Sequence, residues 1–283
     1  MNNKIGIMQG RLSKRDPEKL QVFPIKNWKN EFKLCNEIGL DSIEWIIDTN
    51  NSLNNPIFSD ILVKNIKELS NKHNIEITAV CNDLLMDQPL SDNKNLQIEP
   101  SYIALEKLIK KCKFLEIGFI ELPLIKKSKI RTKHDLNKLI HNLESLKKLS
   151  IDCGVTFLLE TDLNPNKNFE LMKELSGLPV GLNYDTGNSA FWNFDPEEEI
   201  NLLGKWIKNV HIKDCIPEIY SVPLGNGNVN FDLIMKKLSD INYNGDFILQ
   251  TAYKINENCI DIIKNYYQFT QKYVKKYFNG IKS

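Results

Sequence analysis

The chain has 283 residues, enough for one large α/β domain; a (β/α)8 barrel typically takes about 250. Its 37 basic and 36 acidic residues leave a formal net charge of +1, which argues against a nucleic-acid or anionic-membrane partner. No window approaches the ~20 consecutive apolar residues of a membrane span. The opening MNNKIGIMQGRL lacks the apolar run and cleavage site of a secretory signal, so a cytoplasmic protein is expected.

In chain order, Lys4–Met8 is a first apolar strand, and a helix runs from Asn27 to Ile38, stopped by Gly39. Strand two is Ser42–Ile46, followed by an amphipathic helix over Phe58–His73. Strand three is Ile75–Cys81, helix three Tyr102–Leu115 and strand four Phe119–Leu122. Lys133–Cys153 is a long amphipathic helix that leads into strand five, GVTFLLE, ending on Glu160. A short helix over Asn168–Leu175 precedes strand six, Val180–Asp185. Pro196 opens a helix expected to reach Ile207, and strand seven is Asn209–Asp214. The loop Pro223–Val229 leads to a helix over Asp232–Leu238. Strand eight is Asp246–Gln250, and Ile260–Phe278 closes the chain.

Eight short β-rich runs, each followed by a helical stretch, predict a parallel sheet, and closure into a single-domain (β/α)8 TIM barrel over residues 1–283 is the economical solution. An open, doubly wound sheet would want a glycine-rich phosphate turn after strand one, and Gln9-Gly10-Arg11-Leu12 is not one. Six scattered cysteines form no CxxC pair and read as reduced, buried thiols.

In a parallel barrel the C-terminal strand ends share one mouth. Glu160, Asp185, His211 and Gln250 stand at the ends of strands five to eight, so two carboxylates, an imidazole and an amide oxygen converge there. That donor set suits a single divalent ion: Mn²⁺, Co²⁺, Zn²⁺ or Mg²⁺. Any one of the four alone would read as an ordinary polar strand end; all four in consecutive units favour the metal.

The segments IGIMQGRLS, LLETD, NYDTGN, VHIKD, PLGNGNVNF and ILQTA, in this order, resemble the xylose-isomerase-like TIM-barrel superfamily, within it the sugar phosphate isomerase/epimerase group. The resemblance covers essentially the whole chain. It implies a divalent-metal-dependent isomerase or epimerase acting on a sugar or sugar phosphate through an enediolate. The metal would be held by Glu, Asp, His and Glu at the last four strand ends. Glu160, Asp185 and His211 match the first three, and Gln250 departs from the fourth. The resemblance also implies that the first and last carboxylates both move protons. Glu160 suits a general base, but the Gln250 amide does not. One-base chemistry therefore gains weight: an aldose–ketose isomerisation, an elimination, or an epimerisation with another acid. Glu44 and Lys213 are the candidates for that second acid.

Asn188 occupies a position where related members often carry histidine, and it would bind a substrate hydroxyl. Gln9 and Arg11, beyond strand one, are placed to bind a hydroxyl or phosphate. Gly225 and Gly227 would leave amides free for an anion. Trp45, Phe191 and Trp192 are candidates to wall the pocket, with packing as the alternative. His73, His134 and His141 read as surface residues. Two other functional classes compete. A non-catalytic sugar-binding barrel is motivated by Gln250. An apurinic-endonuclease-like enzyme would want several histidines at the mouth, and only His211 of the chain's four stands there. The expected partner is a small-molecule sugar, with a homo-oligomer left open.

Overall fold

A computed structural model describes residues 3–14, 21–49, 54–90, 95–217, 219–252 and 258–278. Eight strands form a closed parallel barrel: β1 (Ile5–Met8), β2 (Ser42–Ile47), β3 (Glu76–Asn82), β4 (Phe119–Leu124), β5 (Thr156–Thr161), β6 (Val180–Asp185), β7 (Ile207–Ile212) and, last in the chain, β10 (Asp246–Leu249). Their order is the order of the sequence, and β10 pairs with both β7 and β1 to close the ring. Helices α1 (Trp28–Ile38), α2 (Leu62–His73), α4 (Pro100–Leu115), α5 (Lys133–Cys153), α6 (Pro165–Glu174), α8 (Pro196–Leu203), α9 (Phe231–Asp240) and α10 (Cys259–Tyr277) alternate with the strands. A short α3 (Leu84–Asp87) and α7 (Thr186–Phe191), and an antiparallel hairpin of β8 (Asp214–Ile216) and β9 (Ile219–Val222), complete the described elements.

The strands are buried on both faces, as a barrel enclosed by helices requires. Strand parity then sorts the side chains. On β2, Glu44 points into the barrel, while Ile43, Trp45 and Ile47 join the large apolar layer beneath the helices. Met8, Cys81 and Ile248 form a separate small apolar cluster. At the start of β1, an added Cβ on Gly6 would overlap Ser42 and Ile248, so close strand packing explains that glycine.

Several boundaries differ from the sequence expectation. The helix opened by Pro196 ends at Leu203; Gly204–Trp206 is a 3₁₀ turn, and Ile207 already pairs with Leu182 in the barrel. Strand seven therefore runs Ile207–Ile212 instead of reaching Asp214, which begins the hairpin. Helix α7 and the hairpin were not foreseen. Asp185 explains α7, because its carboxylate caps the helix start. On α5, His134 and His141 are exposed, and Thr132 with Asp135 forms a capping box.

Candidate metal centre

Three strand ends carry the centre. Strand β5 delivers Glu160, β6 delivers Asp185 and β7 delivers His211; all three are buried, and one ligand atom from each lies within 4.8 Å of the others. The cap on α7 orients Asp185: its Oδ1 accepts from the Gly187 and Asn188 amides at 2.8 and 2.9 Å. Its Oδ2 faces the Lys213 ammonium at 3.3 Å. Lys213 also donates to Asn188 Oδ1 at 2.9 Å, and Asn188 Nδ2 donates to Glu160 Oε1 at 2.6 Å. The hydrogen bonds thus run from Glu160 through Asn188 and Lys213 to Asp185.

His211 is oriented from behind. Its Nε2 lies 2.8 Å from Glu44 Oε1, and Asn183 Nδ2 lies 3.0 Å from its Nδ1. In the neutral ring, Asn183 donates to Nδ1 and Nε2 carries the proton given to Glu44. Glu160 Oε2 is 3.9 Å from Nδ1, so this is the ring nitrogen on the Glu160 side of the site. Asn209 Nδ2 donates to Glu44 Oε2 at 2.9 Å and to Asn183 Oδ1 at 3.0 Å, fixing both. A carboxylate behind the far nitrogen of an imidazole is the usual support of a metal-ligating histidine. Glu44 is fully buried, and with Glu121 and His211 it forms a second close group of potential metal ligands.

Glu121, on β4, is a further buried carboxylate, 3.3 Å from His211 Nε2. Burial, then the neighbouring Glu44 and Glu160, pushes its carboxyl well above the usual range. Burial alone would raise Glu160 too. The Glu121 carboxyl beside it, then His211 and Lys213, more than offset this and hold Glu160 below its ordinary value. Of the two carboxyls, Glu121 is thus the one pushed toward the neutral form and Glu160 the one held toward the ionised form. Burial disfavours the His211 imidazolium, yet Glu44, then Glu160 and Asp185, raise it to about 8. Burial raises Asp185, against the pull of Lys213.

At the other side of the mouth, Gln250 Nε2 lies 3.6 Å from Met8 Sδ and 3.5 Å from Gln21 Oε1. Its Oε1 is buried and accepts no hydrogen bond among the described residues. Arg11 Nη2 donates to Gln21 Oε1 at 3.1 Å, and Gln21 Nε2 donates to Asp83 Oδ2 at 2.6 Å. Gln9 is buried, its Oε1 accepting from the Ile46 amide at 3.3 Å.

Two sequence expectations need correction. Trp45 does not wall the pocket. Parity turns it outward, where it is fully buried against Phe23 and Trp28 and donates from Nε1 to Asn55 at 2.9 Å. The amides of Gly225 and Gly227 are not free for an anion, because both donate to Asp214 Oδ2, at 2.8 and 2.9 Å. Glu121, Asn183, Asn209, Gln21 and Asp83 were not singled out from sequence. Polar residues inside the apolar runs FIELPL, VGLNYD and IKNVHI were the available signal for the first three. Beside the centre, a cleft is lined by Glu160, Asp185, Asn188, Trp192, Phe194 and Glu199, among others.

The donor set fits a divalent cation: two carboxylates and an imidazole already grouped, and an unused amide oxygen on Gln250.

The sequence profile of the xylose isomerase-like TIM barrel family matches residues 32–265. The chain belongs to this family. Inosose dehydratase of Bacillus thuringiensis (strain Al Hakam) is 26% identical over 155 residues, 45% of this chain and 51% of that protein. The match thus spans about half the length of the curated relatives. Among solved structures, D-psicose 3-epimerase with D-tagatose from Clostridium cellulolyticum H10 superposes with a TM-score of 0.76 at 18% identity, covering 96% of this chain and 99% of that one. The IOLI protein with a bound zinc atom superposes with a TM-score of 0.77 at 18% identity, covering 97% and 99%. At such identities these structures establish the fold shared by this xylose isomerase-like barrel. No described helix is long and apolar enough to cross a membrane.

Proposed function

We propose that the protein is a divalent-metal-dependent isomerase or epimerase of a sugar or sugar phosphate, with Glu160 as the base that removes a proton next to a carbonyl. The observation that carries this reading is the grouping of Glu160, Asp185 and His211 at the barrel mouth, with Glu44 behind the imidazole. Glu160, Asp185 and His211, joined by Gln250 through its amide oxygen, would hold the ion. When bound, a divalent cation acts as a Lewis acid on the carbonyl and its neighbouring hydroxyl, which acidifies the intervening carbon proton.

The chain's own residues supply the remainder. Glu160 is held below its ordinary carboxyl value, and Asn188 and Asn183 fix its two oxygens, so the base is presented in one orientation. Asp185 and the Lys213 ammonium form a buried ion pair beside it, and Lys213 is the cation placed to meet negative charge that develops on a substrate oxygen. Glu44 acts through His211 as a positioning residue. Gln9, Arg11 and Asn188 would bind hydroxyls around the mouth. Gln250 cannot exchange a proton at neutral pH, which favours one-base chemistry over a symmetric two-base epimerisation.

A second reading, dehydration, is favoured by the partial similarity to inosose dehydratase and by this same asymmetry. In an elimination Glu160 takes the proton next to the carbonyl, the bond to the hydroxyl one carbon further breaks, and that hydroxyl leaves as water with a proton from the Lys213 side. Incubating the metal-loaded protein with ketoses and their phosphates in deuterated water, read by NMR, separates the readings. Isomerase or epimerase activity incorporates solvent deuterium beside the carbonyl. A dehydratase gives loss of water. Both signals should vanish in Glu160→Ala. Absence of both across the panel would contradict the proposal.

A further inference from the structure

The half of the mouth formed beyond β1, β3 and β10 stands on a small apolar floor. Met8, Cys81 and Ile248 are buried together there. Ile248 is in register with His211, and the Gln250 backbone amide still donates to Ile212 O at 3.1 Å. Strand alternation therefore carries the Gln250 side chain to the same face as Ile248, one pleat nearer the opening. Over this floor, Arg11, Gln21, Asp83 and Gln250 form one polar chain.

Donor and acceptor roles fix the order of that chain. A guanidinium only donates, so Arg11 Nη2, 3.1 Å from Gln21 Oε1, keeps the oxygen end of the Gln21 amide turned toward it. The Gln21 nitrogen then meets Asp83 Oδ2 at 2.6 Å, and the other Asp83 oxygen accepts from the Cys81 thiol at 3.2 Å. Asp83 stands at the N-cap position of α3, yet its side chain makes no capping bond. A cap of this kind typically stabilises a helix by about 1 kcal/mol, and here the carboxylate is turned to Gln21 instead. Gln21 is thus held at both ends of its amide.

The orientation of Gln250 follows from that of Gln21. Gln250 Nε2 lies 3.5 Å from Gln21 Oε1 and 3.6 Å from Met8 Sδ, and both of these atoms accept. The opposite flip would set the Gln250 oxygen against two acceptors, which is how an amide is assigned from its neighbours. Oε1 is therefore the end turned away from this wall, and it is buried with no hydrogen bond among the described residues. A carboxylate at position 250 would place an oxygen against the same two acceptors in either flip. These neighbours suit an amide.

We propose that Gln21, anchored by Arg11 and Asp83, is a positioning residue that orients the Gln250 amide so that its oxygen, and not its nitrogen, is offered to the cation. This rests on the metal-dependent reading above and deepens it: a relay outside the ligand set lets glutamine serve as the fourth ligand. A double-mutant cycle on metal affinity tests it, by calorimetric titration of chelator-treated protein with Mn²⁺. Gln250→Ala and Gln21→Met should each bind about tenfold more weakly than the wild type, as expected when a ligand or its orienting partner is lost. In the Gln250→Ala background, Gln21→Met should lower affinity by no more than about twofold further, because the group it orients is gone. Gln21→Glu combined with Asp83→Asn exchanges donor and acceptor between 21 and 83 at constant charge. The carboxylate at 21 still accepts from Arg11 and Gln250, so this variant should bind Mn²⁺ within about threefold of the wild type. Unchanged affinity in either single variant, an equal loss from Gln21→Met in both backgrounds, or an exchange variant as weak as Gln21→Met would overturn this inference while leaving the metal-dependent reading intact. A wild type that binds neither Mn²⁺ nor Zn²⁺ would overturn both.

Discussion

At the residue scale, His211 decides what the mouth can do. Its ring is held by Glu44 at Nε2 and Asn183 at Nδ1, with Glu160 3.9 Å from Nδ1. Removing such a support typically lowers metal affinity 10- to 100-fold. Glu44→Ala should therefore weaken metal binding by about that factor in a calorimetric titration, and Glu44→Gln, which can still accept from Nε2, should weaken it less. Equal affinity in wild type and Glu44→Ala would contradict the role. The same ring sets the pH dependence. A metal ligand must be deprotonated, and the imidazole keeps its proton up to about 8 in the metal-free protein. Apparent metal affinity should thus rise with pH up to about 8 and fall roughly tenfold per unit below it; a flat profile between pH 6 and 8 would contradict this. In the sequence, Glu160, Asp185 and Gln250 stand out because each closes an apolar run, and His211 because it interrupts one near its end. The partners that orient them were not. Glu121, Asn183 and Asn209 lie inside strands, and what they touch depends on strands far away in the chain. Trp45 shows the converse: adjacent to Glu44, it had to face the opposite way, and parity already said so.

At the element scale, Asp214 shapes the irregular glycine loop at 223–229. It is buried, and its two oxygens take four backbone amides. Each buried amide left unpaired costs about 1–3 kcal/mol, less where water reaches it. Asp214→Ala should lower unfolding stability by roughly 2–4 kcal/mol in urea, and a loss below about 0.5 kcal/mol would show that the loop is held otherwise. Pattern reading identified this segment as a glycine-rich loop but assigned its amides to an external anion, since nothing in sequence reveals that a carboxylate eleven residues earlier turns back into it. The helix opened by Pro196 was overextended for a related reason. The residues 204–207 are compatible with a helix locally, and the pairing of Ile207 with Leu182 overrides that.

At the scale of the whole molecule, Glu31, Asp83 and Glu199 join Glu121 as buried acids outside the candidate ligand set whose shifts share one sign. Burial raises Glu31, Asp83 and Glu199 to about 7. A carboxyl whose folded value lies above its unfolded one stabilises the fold at low pH, and that contribution is lost as pH rises through the folded value. The metal-free protein should therefore lose stability between about pH 4.5 and 7, opposite in direction to the gain in metal affinity. Glu199 sits against Tyr184 and Ser189, with no contact to the ligand set. Glu199→Gln should flatten the slope by at most about 1.4 kcal/mol per pH unit, the limit for one proton. Urea midpoints of chelator-treated protein at pH 5, 6 and 7 measure this, and an unchanged slope would refute it. The barrel itself was readable from composition and alternation because eight β-rich runs and their helices repeat one local grammar. Closure was legible only by count, and the pairing of β1 with β10 realises it.

The central claim is a single cation held by β5, β6 and β7. Crystals grown with zinc and measured across its absorption edge test it most directly. The account predicts one anomalous peak per chain, about 2.0–2.2 Å from a Glu160 oxygen, Asp185 Oδ2 and His211 Nδ1. No peak there, or a peak held by other residues, would contradict it.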